Sequence, residues 1–333
     1  MIFSVWIPLL VPFLAVPAAR RLAEALPPRP AAWLLAAAAA GLALCSTAAL
    51  GLIALAGALR LPFVASLGHL AVPLDALPAW LAFPAAATAA ALVALSATAL
   101  VRTVRRHMAE LRVARARLRP AGSELAVLRD PNPDAYALPG RPGRIVVTTG
   151  MLRTLEPAER EALFAHERAH LQGRHHLFLA VAELAGHCHP GLRPLRAPLA
   201  FALERSADEY AAAAVGDRGL AARAIGRAAL ASRAAVSRPR AVLAATAGPV
   251  PRRVAALLER HPAKGLARSP GARLIAAVLL GCLCASAASA IDAAADLHGG
   301  IETAQGETGH DRRATDGPKA AAPGAVTRTA QQR

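Results

Sequence analysis

Five consecutive residues, His166-Glu167-Arg168-Ala169-His170, place two imidazoles and a carboxylate at a spacing suited to metal chemistry. Residues four apart lie on one face of a helix, so His166 and His170 can direct ring nitrogens at the same ion. Glu167, beside the first histidine, can take a proton from a water held by that ion. This H-E-x-x-H pattern indicates a zinc site that hydrolyses peptide bonds.

The flanking sequence predicts a helix over about 157–172 that carries both histidines in its second half. Pro157 suits the first helical position, and the acidic residues around it, Glu156 and Glu159, favour the positive end of the helix dipole. Gly173 is a suitable residue to end the helix.

A catalytic zinc needs a third protein ligand, and the candidate is Glu204 on a second predicted helix that ends near Gly216. Asp208 lies one turn further on the same face, where it can accept a hydrogen bond from the distal nitrogen of a ligand histidine. The alternative is that both are solvated helix charges, since Arg205 and Glu209 lie beside them. The upstream motif favours the ligand interpretation.

The composition indicates a membrane protein, because 55% of the residues are hydrophobic and the mean hydropathy is +0.37. Four segments are apolar enough to cross a bilayer. The first could instead be a signal peptide, although it lacks a basic start. The predicted spans are residues 1–19, 31–59, 76–101 and 273–292.

The distribution of arginines predicts the orientation of these spans. Arg20, Arg21 and Arg29 follow the first span, only Arg60 follows the second, and seven arginines lie within 102–119. We therefore expect a multi-pass protein of the cell membrane with both termini extracytoplasmic. The region between the third and fourth spans would be cytoplasmic.

The predicted fold is a mainly α membrane protein with four transmembrane helices and a cytosolic α+β metallopeptidase domain at 102–272. A basic amphipathic helix would leave the membrane first, followed by a small antiparallel sheet, the zinc helix, a short core helix and the Glu204 helix. Residues 293–333 have few large apolar side chains and would form a disordered extracytoplasmic tail. The helix and strands are predicted near 102–119, 124–128, 134–138 and 144–148, and the core helix at 177–188.

The segment Asp134–Gly140, followed by Arg144–Leu152, resembles the strand pair that precedes the zinc helix in two families of integral-membrane gluzincin peptidases. One is the BlaR/MecR antirepressor family, whose order of spans and short gap between zinc helix and glutamate are similar to this chain. The other, more distant, is the HtpX/CAAX-protease family. The resemblance covers roughly residues 1–291. The chain departs from the beta-lactam sensors because its C-terminal tail has no room for a penicillin-binding domain.

The resemblance implies a zinc metalloendopeptidase with one Zn²⁺ held by His166, His170 and Glu204, and with Glu167 as proton acceptor and donor. It also implies that the strand at 144–148 binds an extended substrate as an added strand. The antirepressor likeness implies signal transduction by cleavage of a winged-helix repressor. The HtpX likeness implies quality control of membrane proteins instead. A third possibility is a non-catalytic membrane transducer, against which the complete ligand set argues.

Other features of the composition carry less weight. The net charge of +16 suggests nucleic-acid binding, but much of that charge lies at predicted membrane boundaries, where arginines meet anionic lipid. Aromatic residues, which would stack on the bases of a single strand, are only 4% of the chain. The four cysteines show neither disulfide nor zinc-finger spacing.

A second cluster could bind another metal or could consist of structural histidines, and the structural interpretation is favoured. Its members are His175, His176, His187, Cys188 and His189.

Overall fold

The structure is a computed structural model that describes residues 2–68, 78–118, 123–232, 250–259 and 270–315. It is largely helical, with one small sheet. The helices are α1 (Ile2–Ala25), α2 (Pro28–Ala58), α3 (Pro62–Leu67), α4 (Ala79–Ala116), α5 (Thr149–Thr154), α6 (Pro157–Gln172), α7 (His175–Cys188), α8 (Arg196–Val215), α9 (Arg218–Ala231), α10 (Val250–Leu258) and α11 (Pro270–Thr315). A 3₁₀ turn at Pro190–Leu195 joins α7 to α8, and the strands are β1 (Leu125–Leu128), β2 (Ala135–Leu138) and β3 (Arg144–Thr148).

Four helices are long and apolar enough to cross a membrane. They are α1, α2, α4 and α11, in the order that the sequence predicts. α1 remains one helix although it contains Pro8, Pro12 and Pro17. Its neighbours in the bundle are α2 and α11, which also pack against each other.

The candidate membrane span α2 shares one hydrophobic core with α7 and α8. Small side chains of α2, such as Ala39, lie in the same cluster as Leu179 of α7 and Leu199 of α8. Alanines on α2 allow close approach of these helices, because their side chains add little bulk. The helices around the site are therefore packed directly on the spans.

α4 differs from the prediction of a span at 76–101 followed by a separate amphipathic helix at 102–119. It is one helix from Ala79 to Ala116. Residues 85–116 contain neither proline nor glycine, so nothing breaks the helical hydrogen bonds around the boundary between Val101 and Arg102. Near its end, Leu111 packs on the sheet.

The sheet has the order β1-β3-β2. β2 and β3 pair antiparallel, with Ala135 opposite Val147, whereas β1 and β3 pair parallel, with Leu125 opposite Ile145. The prediction of an antiparallel sheet is therefore wrong for β1, and the sheet is mixed. β2 and β3 are both buried on two faces, and β3 lies between the other two strands.

This order also contradicts the expectation that residues 144–148 add a substrate strand. Both edges of β3 are already hydrogen-bonded, to β1 on one side and to β2 on the other. A strand can be added only at an open edge of a sheet. β3 instead holds the sheet together and packs against α6, which carries His166 and His170.

The sheet lies between two layers of helices and so fixes the position of α6. On one face, Val147 packs with Met151 of α5 and Leu163 of α6. On the other face, Val146 packs with Leu111 of α4. α6 is thus tied through the sheet to the long membrane helix α4.

The C-terminal segment is more ordered than the sequence predicts. α11 continues to Thr315, so residues 293–315 are helical rather than disordered. Near this end, Nε2 of Gln305 donates a hydrogen bond to the backbone oxygen of Gly68, just after α3, at 2.8 Å. The remaining part of the predicted tail, 316–333, lies outside the described residues.

Candidate metal centre

α6 begins where the sequence places its start. Pro157 occupies the first turn, and Oε2 of Glu159 accepts a hydrogen bond from the backbone nitrogen of Glu156 at 3.1 Å. This reciprocal cap satisfies a backbone donor that has no partner within the helix. Glu159 also binds Arg227 of α9 at 2.8 Å, which fixes the helix against its neighbour.

The two histidines of α6 meet Glu204 of α8 in the interior of the protein. The Nε2 atoms of His166 and His170 are 3.1 Å apart. Oε2 of Glu204 lies 3.6 Å from Nε2 of His166, and Oε1 lies 3.6 Å from Nε2 of His170. The three side chains are 0%, 3% and 0% exposed, in the order His166, His170 and Glu204. One ligand atom from each residue therefore converges on a common point.

This arrangement fits a zinc ion. With zinc–ligand bonds of about 2.0–2.1 Å in a tetrahedral site, neighbouring ligand atoms are roughly 3.3 Å apart. The observed separations of 3.1 and 3.6 Å bracket that value. Within the described part of the chain, moreover, neither carboxylate oxygen of Glu204 accepts a hydrogen bond, although both are buried. A buried carboxylate needs compensating charge. Arg253 of α10 supplies it at Oε2, at 2.7 Å, and a bound cation would supply it at Oε1 as well.

Asp208 and a residue from α10 complete the surroundings of the ligands. Oδ1 of Asp208 lies 3.0 Å from Nδ1 of His166, the nitrogen on the far side of the ring from Nε2. Arg253 donates to both Asp208 oxygens, from Nε at 2.8 Å and from Nη2 at 2.6 Å. Its Nη1 lies 2.7 Å from Oε2 of Glu204 in an ion pair outside hydrogen-bond geometry. Sequence reasoning missed Arg253, since nothing local distinguishes it from the other arginines.

The surroundings of the site shift the pKa values of the two histidines in opposite directions. Burial lowers the pKa of His166, but the Asp208 and Glu204 carboxylates outweigh burial and raise that pKa to about 9. Burial holds the pKa of His170 well below its usual value, and the nearby His166, His175 and Arg253 act in the same direction. Burial raises the pKa of Asp208, yet Arg253 overcomes this and lowers it, so Asp208 is ionised.

Glu167 lies beside the ligand pair on α6 and is fully buried. Its carboxylate is close enough to Arg253 to help raise the pKa of that guanidinium. A buried carboxylate adjacent to two metal ligands has the placement that a general base of a metal hydrolase requires.

Residues 96–189 match Peptidase family M48. The matched range runs from α4 to the start of the 3₁₀ turn after α7. It includes the H-E-x-x-H residues and ends before Glu204. M48 peptidases are metal-dependent, so the match supports a zinc metallopeptidase of the M48 family. None of the curated proteins and none of the solved structures matches the chain.

Two other histidines of the matched region, His187 and His189, have partners within the protein. Nε2 of His187 lies 2.9 Å from the Thr103 hydroxyl of α4. Nδ1 of His189 accepts from the backbone of Gly191, and its Nε2 lies 3.0 Å from the backbone oxygen of Leu9. Among the residues that the structure describes, only His166, His170 and Glu204 form a cluster able to hold a metal. For His187 and His189, these contacts fit the structural interpretation.

A cavity of about 1080 Å³ lies at the C-terminal end of α6. One wall is the turn between α1 and α2, which includes Pro27. The other walls come from the end of α6 at Gly173, from His175, from Tyr210 of α8 and from α10. The cavity therefore adjoins the M48 region at the place where the membrane helices meet it.

Proposed function

We propose that this protein is a membrane-embedded zinc metalloendopeptidase. The observation that carries the proposal is the convergence of His166, His170 and Glu204 at 3.1 and 3.6 Å inside the protein. The M48 match over the helix that bears two of these residues supports the same activity. Four helices apolar enough to span a membrane support the placement in a bilayer.

In the proposed reaction the protein side chains have distinct tasks. His166, His170 and Glu204 would hold the ion, which when bound polarises the scissile carbonyl and lowers the pKa of water toward neutrality. Glu167 accepts a proton from the attacking water as the new carbon–oxygen bond forms. It then delivers that proton to the amine nitrogen as the carbon–nitrogen bond breaks. Asp208 keeps His166 oriented through its Nδ1 atom.

We further propose that the peptidase region lies on the cytoplasmic side of the membrane. The arginine distribution between the spans supports this orientation. Nη1 of Arg252 lies 2.7 Å from Oε1 of Glu24, and Arg205 donates to the backbone oxygen of Ala23 at 2.9 Å. These contacts join the end of α1 to α8 and α10, so the α1–α2 turn belongs to the same side as the site.

The proposed substrate is a winged-helix transcriptional repressor, cleaved in response to a signal that crosses the membrane. The support for this proposal is the order of spans and site residues shared with the BlaR/MecR type. The shared core of the spans with α7 and α8 offers a physical route by which a change in the membrane helices would reach the site.

Cleavage by the reconstituted protein tests the activity. The full chain would be loaded with zinc in liposomes and supplied with fluorescein-labelled casein or with a candidate repressor. We expect peptide release by the wild type, and a loss of about 100-fold or more in Glu167→Gln because the proton acceptor is gone. Glu161→Gln, an exposed position on the same helix, is the matched control and should keep full activity.

Two results would contradict the proposal. Equal cleavage by the wild type and Glu167→Gln would indicate a contaminating protease or another mechanism. Stoichiometric zinc without cleavage of either substrate would favour the non-catalytic transducer instead.

A further inference from the structure

His175 contacts the ligand His170 on the side away from the metal-binding nitrogen. The two Nδ1 atoms are 2.7 Å apart, and both rings are buried. The ring planes are nearly perpendicular, at 80°, with centroids 4.8 Å apart. Because Nδ1 and Nε2 lie on different edges of an imidazole, His175 cannot share the ion that Nε2 of His170 would hold.

The chain between these histidines is built to bring His175 back to the helix. Arg174, which follows α6, has φ 48° and ψ 41°, a left-handed conformation that is uncommon for a side chain of its size. Gly173 has no side chain, and a Cβ there would come within 2.4 Å of Nε2 of His175. The turn and the close approach together fold the first residue of α7 over the end of α6.

With a metal on Nε2 of His170, the proton of this ring lies on Nδ1, in the contact with His175. A neutral imidazole that offers the lone pair of Nε2 must carry its hydrogen on Nδ1. That hydrogen then points at Nδ1 of His175, which accepts it, while the hydrogen of His175 resides on its own Nε2. Partners of this kind fix the tautomer and the ring orientation of a ligand histidine.

We propose that His175 is a positioning residue of the metal centre, which holds His170 as the Nδ1–H tautomer. The proposal rests on the proposed function, since it assigns a role at the same zinc site. In this proposal the two ligand histidines are oriented by residues of two different helices. Asp208 of α8 orients His166, and His175 of α7 orients His170.

Two nearly isosteric variants test this role. His175→Asn keeps an acceptor close to the position of Nδ1, whereas His175→Leu has a similar shape and no acceptor. Zinc affinity would be measured on the full chain in detergent by competition with a chelator. We expect His175→Leu to weaken zinc binding by about 10–100-fold and His175→Asn to recover most of that loss. His176→Leu, the next residue of α7, is the control and should bind zinc like the wild type.

The absorption of the cobalt-substituted protein gives a second readout that a purely structural role would not change. The visible bands of His175→Leu should shift because His170 is no longer held, and those of His175→Asn should resemble the wild type. Equal zinc affinity in wild type and His175→Leu would overturn the inference while leaving the proposed function intact. A wild-type chain that binds no zinc would overturn both.

Discussion

Nη2 of Arg253 lies 2.6 Å from Oδ1 of Asp208, and both side chains are buried. The same guanidinium forms an ion pair with Glu204, so one cation faces two carboxylates that α8 presents one turn apart. This pairing ties α10, which follows a stretch outside the described residues, to the centre of the protein. Because a buried charge is tolerated only when it is paired, each of these groups depends on the others.

Replacing Arg253 with methionine should therefore destabilise the protein strongly. Removing one partner of a buried pair costs about 3–5 kcal/mol in the free energy of unfolding, because the remaining charges lose their compensation. Thermal unfolding of the zinc-free chain in detergent would measure the loss. Arg252→Met is the matched control, since Arg252 pairs with Glu24 at the surface, where its side chain is 67% exposed. Such a pair contributes only about 0–1 kcal/mol. Equal destabilisation by the two variants would contradict the assigned role of Arg253.

The grouping of His166, His170 and Glu204 is the part of the structure that the sequence predicts best. The relation between His166 and His170 is local, because one helical turn fixes it whatever the rest of the fold does. The same is true of Glu204 and Asp208 on α8. That these two pairs would meet was an inference from chemistry, and the structure brings them to 3.6 Å and 3.0 Å of each other.

The roles of Arg253 and His175 were not predictable in the same way. Arg253 belongs to a chain with 38 lysines and arginines, and its burial follows from how α10 packs on α8 and α9. The sequence indicates His175 only as a member of a histidine cluster. Its contact with His170 depends on the left-handed conformation of Arg174, which no local signal indicates.

The strand order was mispredicted for a related reason. Alternation and turn residues locate β1, β2 and β3 well, since these are properties of each segment. Whether β1 pairs with β2 or with β3 is not a property of one segment, because β2 and β3 are both buried on two faces. In the structure β3 lies between the other two strands and pairs parallel with β1.

Asp208→Asn should weaken zinc binding and also lower the stability of the protein, because the buried Arg253 loses the charge of one partner. The asparagine keeps the shape of the side chain but loses the negative charge that faces Nδ1 of His166. We expect zinc affinity to fall by about 10–100-fold, as is typical when the partner of a ligand histidine is changed. Chelator competition on the purified variant measures the effect. Glu209→Gln, which lies next along α8 and contacts Arg218 rather than a ligand, should leave the affinity unchanged. An Asp208→Asn variant with wild-type affinity would remove Asp208 from the site.

The orientation of the spans can be tested with single cysteines. In a chain whose four cysteines are replaced by alanine, Phe63→Cys should react with a membrane-impermeant maleimide added to intact cells. Arg112→Cys should react only after the cells are permeabilised. Both positions are exposed, so access depends on the side of the membrane rather than on burial. Reversed labelling would place the peptidase region outside the cytoplasm.

The central claim is that His166, His170 and Glu204 hold a zinc ion, and the zinc content of the purified chain tests it most directly. It would be measured by mass spectrometry of the metal for the wild type, His170→Ala, Glu204→Ala and the control Glu161→Ala. We predict about one zinc per chain in the wild type and the control, and loss of the ion in the other two variants. A wild type without zinc, or a Glu204→Ala variant that keeps its full zinc content, would contradict the account.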